Sequence, residues 1–387
     1  MGAIFNDVPG ISPFEIVSLE TILKKYRGKI GYQEFMPAQE VCYEPIPFVP
    51  EQFKVFQPSH ITFDKTWVLT IPHGRACSFW GHVLIDEKYL LRELFWPCLP
   101  FTHTLHQLHN ERFLFDNVRK VSGRVAVISC IGATNYVHFL MEIMGRLAML
   151  EMMGIDYDWI YMPYDGGFGP KILATWGIDL SKIIEPFHEF MCIEADELIV
   201  PSRSFYQIPT PKHTMHSHYT PLCGVYSPSW LTTYYREKFL PMVNKSEENS
   251  NSWCKRIFIS RKDTGSGLRP MLNEDDVFAL FERCGFKKYL LGELTFLQQV
   301  ELFSNAEIIV GANGAGLYNM LFSSPGTKVV EIFQQRVDST YAFLAQSLGL
   351  DYTPVKTMDF PLYDREGGNP SVVPLHIIEN VIESLNL

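Results

Sequence analysis

The second half of the chain alternates regularly between short apolar runs and longer amphipathic segments. The apolar runs are rich in Val, Ile and Phe and have the length of buried strands. The sequence predicts strands over residues 256–260, 288–291, 307–310, 328–333 and 352–356. It predicts helices over residues 273–284, 295–304, 315–322, 340–348 and 374–385. Strands that alternate with helices in this way are typical of a doubly wound parallel sheet.

The first half follows the same pattern less regularly. Residues 1–115 contain short β-like runs between prolines and aromatic residues, which predict strands and loops. Further along, an apolar run at 123–129 predicts a buried strand, and the apolar spacing over 135–153 predicts the helix that follows it. The chain is therefore predicted to begin with a second, less regular α/β domain.

A polar segment over residues 244–252 carries no apolar side chain to bury, which predicts a linker. It divides an N-terminal domain over 1–243 from a C-terminal domain over 253–372. The last helix, over 373–387, could cross back to the first domain.

Charge and cysteine spacing narrow the function. The chain has 33 basic and 43 acidic residues, a net charge of -10, which argues against nucleic acid as a partner. Its eight cysteines form no Cys-x-x-Cys pair, and this spacing predicts reduced thiols in a cytosol. No signal-peptide pattern and no apolar run of ~18 residues occurs. We therefore expect a cytoplasmic protein with no integral membrane segment, or one of a secretory lumen if an anchor was trimmed.

A glycine-rich turn follows the strand at 307–310 and reads Gly-Ala-Asn-Gly-Ala-Gly over 311–316. Because it opens a helix, its N–H groups could hold a phosphate. The glycine order does not match the Gly-x-Gly-x-x-Gly dinucleotide motif, so a tight turn that needs glycine for its backbone explains it equally well. The predicted binding residues of this turn are Asn313, Gly314, Ala315 and Gly316.

Polar side chains also stand at two other strand ends. Ser260, Arg261 and Lys262 follow the strand at 256–260, where Arg261 could pair bidentately with a diphosphate. Glu331 lies in the strand at 328–333 and could accept both hydroxyls of a ribose. A surface cation and a solvated carboxylate are the plainer alternatives. Since the carboxyl ends of parallel strands meet at one edge, these residues favour a nucleotide site there.

The helix predicted over 135–153 carries Asn135, His138, Glu142 and Arg146 at steps of 3, 4 and 4 residues. At ~100° per residue, these side chains fall within one narrow arc. A His and a Glu one turn apart could supply a general base. The alternative is a solvated polar face with a Glu–Arg pair.

Two further groups invite a metal-site interpretation. His213 and His216 lie in a long loop between prolines, where contact with an acceptor is more plausible than a metal. Asp156 and Asp158 precede an apolar strand instead of following one, which predicts a turn. We therefore expect no essential metal ion.

Several of these motifs, in this order, resemble glycosyltransferase family 61. They are Arg256-Ile-Phe-Ile-Ser-Arg261, Ile309-Val-Gly-Ala-x-Gly-Ala-Gly-Leu-x-Asn319, Pro325-Gly-Thr327, Val330-Glu331 and, upstream, Asn135-Tyr-x-His-Phe-x-x-Glu142 with Arg146. The resemblance covers roughly residues 120–355, whereas residues 1–115 match nothing familiar.

The resemblance implies two Rossmann-like domains in the GT-B architecture, with the active site in the interdomain cleft. It also implies inversion without a metal, no cofactor, and a nucleotide-sugar donor with UDP as the expected nucleotide. Arg261 would neutralise the diphosphate together with the helix start at Ala315, and Glu331 would hold the ribose. Asn135 and Tyr136 would face the acceptor, and Glu142 or His138 would be the base, with Glu142 preferred.

One departure from the family pattern matters, because Asn313 stands where the family usually has His. Asn can donate a hydrogen bond to phosphate but cannot carry a positive charge. The predicted function is an inverting, metal-independent transfer of a hexosyl or pentosyl group to a glycan or glycoconjugate, in surface polysaccharide or glycan assembly. The alternatives are a nucleotide-sugar epimerase or hydrolase, and a non-catalytic nucleotide- or glycan-binding protein.

Overall fold

The computed structural model describes twelve segments of this mixed α/β chain: residues 15–44, 46–47, 59–94, 118–130, 132–163, 167–186, 192–207, 224–243, 253–263, 270–334, 338–357 and 370–387. The chain divides into two compact units. Unit 1 comprises Met1–Gln39 and Phe63–Phe205, and unit 2 comprises Glu40–Thr62 and Tyr206–Leu387. Each unit is therefore assembled from two separate stretches of sequence.

Unit 1 is built on a ten-stranded mixed sheet. Its strands are β1 (Glu15–Val17), β2 (Gly31–Met36), β5 (Thr66–Pro72), β6 (Arg75–Cys77), β7 (His82–Ile85), β8 (Tyr89–Leu91), β9 (Val118–Val127), β10 (Trp159–Tyr161), β11 (Ile183–Ile184) and β12 (Cys192–Pro201). Strands β3 (Gln39–Cys42) and β4 (His60–Phe63) form a separate pair, most of which belongs to unit 2. The main order is β1-β8-β7-β6-β12-β9-β10-β11, and β5 joins β2 to β12.

Only part of this sheet has the parallel arrangement that a Rossmann-like domain requires. Strands β12, β9, β10 and β11 run parallel to one another, as the βα pattern of this region predicts. Strands β5, β6 and β7 pair antiparallel. Short strands joined by turns suit antiparallel pairing, because no crossover helix is needed. The prediction of β-rich structure in the first 115 residues is confirmed for the described segments.

The helices of unit 1 are α1 (Leu19–Lys25), α2 and α3 (Gly169–Trp176), with 3-10 turns at Arg92–Leu94 and Leu180–Lys182. Helix α2 runs over residues 136–152 in three parts: α-helical Tyr136–His138, π-helical Phe139–Met144 and α-helical Gly145–Met152. It follows β9, so its first turn lies beyond the carboxyl end of a central strand.

Unit 2 contains a five-stranded, fully parallel sheet in the order β16-β15-β17-β18-β19. These strands are β15 (Arg256–Ser260), β16 (Lys287–Leu290), β17 (Ile308–Ala312), β18 (Lys328–Phe333) and β19 (Asp351–Lys356), and β13 (Tyr206–Gln207) pairs separately with β14 (Val225–Tyr226). The helices are α4 (Ser229–Val243), α5 (Glu274–Glu282), α6 (Phe296–Asn305), α7 (Thr340–Leu348) and α8 (Leu375–Ser384), with 3-10 helices at Leu291–Glu293 and Ala315–Phe322. The predicted strands and helices of this half are confirmed to within two residues.

The unit boundary lies elsewhere than the predicted domain boundary. Helix α4 belongs to unit 2, where the Phe239 ring lies 4.9 Å from that of Phe296 and 6.3 Å from that of Phe322. Because of these aromatic contacts, α4 packs within unit 2, whereas the sequence predicted it in the N-terminal domain over 1–243. The predicted linker, 244–252, lies outside the described residues.

The last helix also remains within unit 2. Ile378 and Val381 of α8 share an apolar core with Val277 and Phe281 of α5 and with Phe258 of β15. Because these contacts bury the apolar face of α8, the expectation that it crosses back to the first domain is wrong.

The prediction of reduced thiols is wrong for two of the cysteines. Cys77 and Cys192, opposite each other on β6 and β12, form a buried disulfide. Close cross-strand pairing brings two thiols together that lie 115 residues apart in sequence, which spacing alone could not reveal. In the described part of the chain, none of the helices combines the length and apolarity needed to cross a bilayer.

Candidate active site

Arg261 and the glycine turn, both predicted to bind phosphate, lie together at one edge of the unit 2 sheet. Strands β15 and β17 are parallel neighbours, with Ile259 opposite Gly311, so Arg261 emerges beside the glycine turn. Its Nη1 donates a 2.5 Å hydrogen bond to the backbone carbonyl of Asn313. A Cβ on Gly314 would lie 3.0 Å from Arg261 Nε. The guanidinium is therefore packed directly against the backbone of the turn.

This close packing favours glycine at position 314, whereas the backbone angles there do not require it. Its φ of 176° is extended backbone that any residue adopts. Gly316 has a similar role, because a Cβ there would lie 2.7 Å from Leu291 Cδ1. Ala315 and Gly316 are half-buried at the start of the Ala315–Phe322 helix, where backbone N–H groups suit an anion.

On its other side, Arg261 is anchored through Glu274, at the start of α5. Glu274 accepts hydrogen bonds from Ser260 Oγ, at 2.6 Å, and from the Arg261 backbone N–H, at 3.3 Å. Glu274 is buried, so these bonds fix the strand end at which the guanidinium begins. The sequence prediction did not assign Glu274 to the site, although its place just before an apolar helical pattern was a usable signal.

Lys262, which was predicted to bind phosphate, forms an ion pair with Asp275. Its Nζ lies 2.6 Å from Asp275 Oδ2, and Lys288 contacts the other oxygen of Asp275 at 2.7 Å. The two ammonium groups lower the pKa of Asp275 to about 2, and Asp275 in turn raises the pKa of Lys262. The Lys262 side chain therefore lies against α5, and phosphate binding by Lys262 stays a prediction.

A buried polar cluster lies behind the glycine turn. Asn313 Nδ2 donates to Glu331 Oε1 at 2.6 Å and approaches Asp338 Oδ2 at 3.5 Å. The Tyr352 hydroxyl donates to the second carboxylate oxygen of Glu331. Burial, and then the charge of Glu331, raises the pKa of Tyr352 well above its usual range. The sequence prediction missed Asp338 and Tyr352, which carry no motif that marks them.

This cluster bears on two predicted roles. Glu331 has 0% exposed surface, and each of its carboxylate oxygens accepts a hydrogen bond. Because the carboxylate has no exposed surface, a ribose hydroxyl could reach it only after a local rearrangement, so ribose binding by Glu331 stays a prediction. Likewise, the Asn313 amide donates to carboxylates, while its backbone carbonyl holds Arg261.

In unit 1, the predicted catalytic residues lie at the start of α2. Asn135 Oδ1 caps the helix, accepting from the N–H groups of Val137 at 3.0 Å and His138 at 3.4 Å. The Phe168 ring packs edge-on against Tyr136, whose ring centroid lies 5.4 Å away. Asn135 is exposed and Tyr136 half-buried, so both remain candidates for acceptor contact.

His138 and Glu142 form a hydrogen-bonded pair. His138 Nδ1 lies 2.7 Å from Glu142 Oε1, and the side chains are 21% and 1% exposed, respectively. Only the imidazole can therefore be reached by a ligand without rearrangement. The intervening turn is π-helical, and Ser204 Oγ donates to the Met141 carbonyl of that turn. Such single π-turns are frequent at functional sites.

Arg146 completes a buried charged group. Its Nη1 donates to the Ser129 carbonyl at 2.8 Å, and the residue is 4% exposed. Burial lowers the pKa of Arg146, and burial followed by the charge of Glu142 raises the pKa of the nearby Cys130 thiol. Glu142 Oε2 and Arg146 Nε find no hydrogen-bond partner among the described residues. The Glu142 and Arg146 side chains thus face the interior, which is unfavourable for stability and typical of a functional group.

His213 and His216 lie outside the described residues, so their contact with an acceptor stays a prediction. Asp158 accepts the backbone N–H of Arg124 at 2.7 Å, in the turn predicted before β10. Across the described segments, no three His, Cys, Asp or Glu side chains gather in a way that could hold a metal ion.

One protein family matches the part of the chain that contains most of these residues. The family model described as Glycosyltransferase 61 matches residues 136–330, from the start of α2 into β18. The match spans His138, Glu142 and Arg261 and ends one residue before Glu331. The chain belongs to glycosyltransferase family 61 and is a glycosyltransferase.

Similar curated proteins carry the name EGF domain-specific O-linked N-acetylglucosamine transferase. The one from Mus musculus is 29% identical over 138 residues, which cover 34% of this chain and 26% of the relative. The one from Drosophila melanogaster is 25% identical over 154 residues, 39% of this chain and 29% of the relative. The one from Pan troglodytes is 26% identical over 158 residues, 40% and 30%, respectively. The matched part of this chain thus spans less than a third of each relative.

Proposed function

We propose that this glycosyltransferase moves a sugar from a UDP-linked donor to an acceptor hydroxyl, with inversion and without an essential metal ion. The observation that carries the donor side is Arg261, fixed between Glu274 and the Asn313 carbonyl beside the glycine turn. A guanidinium next to backbone N–H groups is suited to a diphosphate, because both stabilise negative charge. A transferase with such a cation has less need of a metal to neutralise its leaving group.

On the acceptor side, we assign the proton-accepting role to His138 and a positioning role to Glu142. The sequence favoured Glu142 as the base, but burial keeps its carboxylate from an acceptor hydroxyl. A hydrogen bond from Nδ1–H to the carboxylate would hold the neutral imidazole in the tautomer whose Nε2 accepts a proton. Arg146 would compensate the charge of Glu142 in the same buried group.

The reaction is a single displacement at the anomeric carbon. The acceptor oxygen forms a bond to that carbon while its proton passes to His138 Nε2. The bond between the anomeric carbon and the β-phosphate oxygen breaks, and its electron pair leaves with UDP. Arg261 and the N–H groups near Ala315 would stabilise the charge that develops on the diphosphate. Attack opposite to the leaving group inverts the configuration.

For the whole chain, we propose the GT-B architecture, with the donor on unit 2 and the base on unit 1. The parallel sheet of unit 2 supports the donor assignment, since nucleotides bind at the carboxyl edge of such sheets. In unit 1, the parallel strands β12, β9, β10 and β11 would be the Rossmann-like part, extended by antiparallel strands.

For the transferred sugar, we propose N-acetylglucosamine, on the strength of the relatives' name. Two acceptor classes are open: a glycan, as the sequence predicted, or a protein hydroxyl, as in those relatives. The Cys77–Cys192 disulfide favours the protein acceptor, because disulfides persist in oxidising compartments, where disulfide-rich extracellular domains fold. We accordingly prefer a secretory lumen to the cytoplasm.

Incubation with a panel of nucleotide-sugars, with and without acceptors, tests this proposal. The acceptors are a folded EGF-type domain and a set of oligosaccharides, and EDTA is present in a parallel series. We expect N-acetylglucosamine transfer from the UDP donor, unchanged by EDTA, with inverted configuration by NMR. Consumption of donor without acceptor would support the epimerase or hydrolase alternative. Binding without turnover would support the non-catalytic one.

A further inference from the structure

The cluster behind the glycine turn connects Tyr352 to Arg261 through a series of hydrogen bonds. The Tyr352 hydroxyl donates to Glu331, and the Asn313 amide donates to the other oxygen of that carboxylate at 2.6 Å. The Asn313 backbone carbonyl then accepts from Arg261 Nη1 at 2.5 Å. Asn313 therefore contacts Glu331 through its side chain and Arg261 through its backbone carbonyl.

The members of this series differ sharply in burial. Glu331 is 0% exposed and Asn313 is 4% exposed, whereas the Arg261 residue is half-buried. A ligand can therefore approach Arg261 without touching Glu331. The Glu331 carboxylate can therefore affect a bound ligand only through its hydrogen-bond partners. One of these partners, Asn313, contacts Arg261.

A second hydrogen bond fixes the backbone of Asn313. The backbone N–H of Asn313 donates to the Ile332 carbonyl at 3.0 Å, next to Glu331 on β18. The main chain of Asn313 is thus tied to β18 by its N–H and by its side chain, which leaves little freedom for the plane of its carbonyl. A guanidinium that donates to a fixed carbonyl loses less entropy when it binds an anion.

We propose that Glu331 and Tyr352 are positioning residues for the donor diphosphate, acting on Arg261 through Asn313. This rests on the proposed function, because it takes Arg261 to be the residue that binds the diphosphate. It gives Glu331 a role other than ribose binding. It also explains how a neutral Asn serves at position 313, since there it orients a cation without supplying one.

The proposal makes a prediction that depends on the ligand. Loss of the Tyr352 hydroxyl loosens Glu331 and Asn313, so Arg261 binds a diphosphate less well. Uridine has no phosphate, so its binding does not involve Arg261. Tyr352→Phe should weaken UDP binding about fivefold to tenfold, the effect of one hydrogen bond, and leave uridine binding unchanged. Glu331→Gln, which retains the shape of the side chain, should act in the same direction.

The experiment is a double-mutant cycle in the full chain, with UDP and uridine as probes in calorimetry. The variants are Tyr352→Phe, Glu331→Gln, Arg261→Ala and each of the first two combined with Arg261→Ala. Tyr289→Phe is the control, because it removes a tyrosine hydroxyl of unit 2 that accepts from the Cys254 N–H at 3.1 Å, before the start of β15. Thermal unfolding establishes that each variant is folded.

We expect the effect of Tyr352→Phe on UDP binding to disappear once Arg261 is Ala, because coupled residues are not additive. Equal weakening for UDP and uridine, or a full effect in the Arg261→Ala background, would overturn the positioning role. If Glu331 binds ribose instead, Glu331→Gln weakens uridine and UDP alike. If the wild-type chain binds no nucleoside diphosphate, the proposed function itself fails, an outcome distinct from the others.

Discussion

Nδ1 of His138 lies 2.7 Å from Oε1 of Glu142, and of the two side chains only the histidine keeps appreciable exposed surface. Hydrogen bonding to a buried carboxylate orients an imidazole and favours one tautomer. In the mechanism that we propose, His138 would meet the acceptor, and Glu142 would fix the geometry of the imidazole.

Substitutions in this pair should separate chemistry from donor binding. His138→Ala should reduce kcat by about 100-fold or more, the usual contribution of a general base. Glu142→Gln should also reduce kcat, because the amide no longer holds the required tautomer. Neither should change UDP affinity, since both residues belong to unit 1. Steady-state kinetics with calorimetric UDP titration measure both quantities.

Glu151→Gln is the control for this pair, because Glu151 lies on the same helix but bonds Trp176 Nε1 at 2.9 Å instead. Turnover by Glu142→Gln equal to that of the wild type would remove Glu142 from the mechanism. Retention of full activity by His138→Ala would do the same for the imidazole.

Gly314→Ala should weaken donor binding. The new Cβ would lie 3.0 Å from Arg261 Nε, so the guanidinium must shift from its place against the turn. Because a displaced Arg loses its hydrogen-bond geometry, we expect UDP affinity to fall about tenfold, roughly the energy of one charge-assisted hydrogen bond. Arg261→Lys should have a comparable effect, since an ammonium lacks the planar fork.

Gly167→Ala is a suitable comparison, because a Cβ at that position would meet nothing within 4 Å. It should bind UDP like the wild type. Unaltered UDP binding by both Gly314→Ala and Arg261→Lys would contradict the assignment of the phosphate site.

Periodicity in the sequence predicted unit 2 well for a physical reason. Parallel strands buried on both faces read as continuous apolar runs, and their order brings Arg261 to the glycine turn without further information. Burial within a helix is harder to predict. The stripe that includes His138 and Glu142 fits a solvated face equally well, and its π-helical turn leaves no local signature. Likewise, Tyr352 is an ordinary strand residue until tertiary packing places its hydroxyl on Glu331.

Unit 1 should lose stability in mild acid because of His82. Burial lowers the pKa of His82 from the usual 6.5 to about 4, so the folded state keeps it neutral. Between these values the unfolded chain binds a proton that the folded chain does not, and stability falls as the pH falls. The loss amounts to about 3 kcal/mol at most, at ~1.4 kcal/mol per pH unit.

Denaturant unfolding of the wild type and of His82→Gln between pH 7 and pH 4 measures this contribution. Gln can retain a hydrogen bond with Ser78, whose Oγ lies 3.1 Å from His82 Nδ1, but it does not titrate. The difference between the two proteins should shrink or reverse as the pH falls. A difference that stays constant with pH would show that His82 does not contribute.

Reduction of the Cys77–Cys192 disulfide should destabilise unit 1. The bond closes a loop with a sequence separation of 115 residues, and a loop of this length contributes about 4–5 kcal/mol by its effect on the unfolded chain. Cys192→Ser should lower the melting temperature, as should a strong reductant. Cys42→Ser, at an exposed free thiol, should not. Peptide mapping without reductant that finds both thiols free in the purified protein would contradict the disulfide.

The two units share the chain in an interleaved order. Residues 40–62 belong to unit 2, where the Tyr43 hydroxyl meets Ser339 Oγ at 3.1 Å, and the chain then returns to unit 1 until residue 205. No single cut, at the predicted linker or elsewhere, separates the protein into two complete folding units. An exchange of unit 2 between relatives would therefore have to transfer both of its segments, and a fusion at one junction would leave each hybrid with an incomplete core.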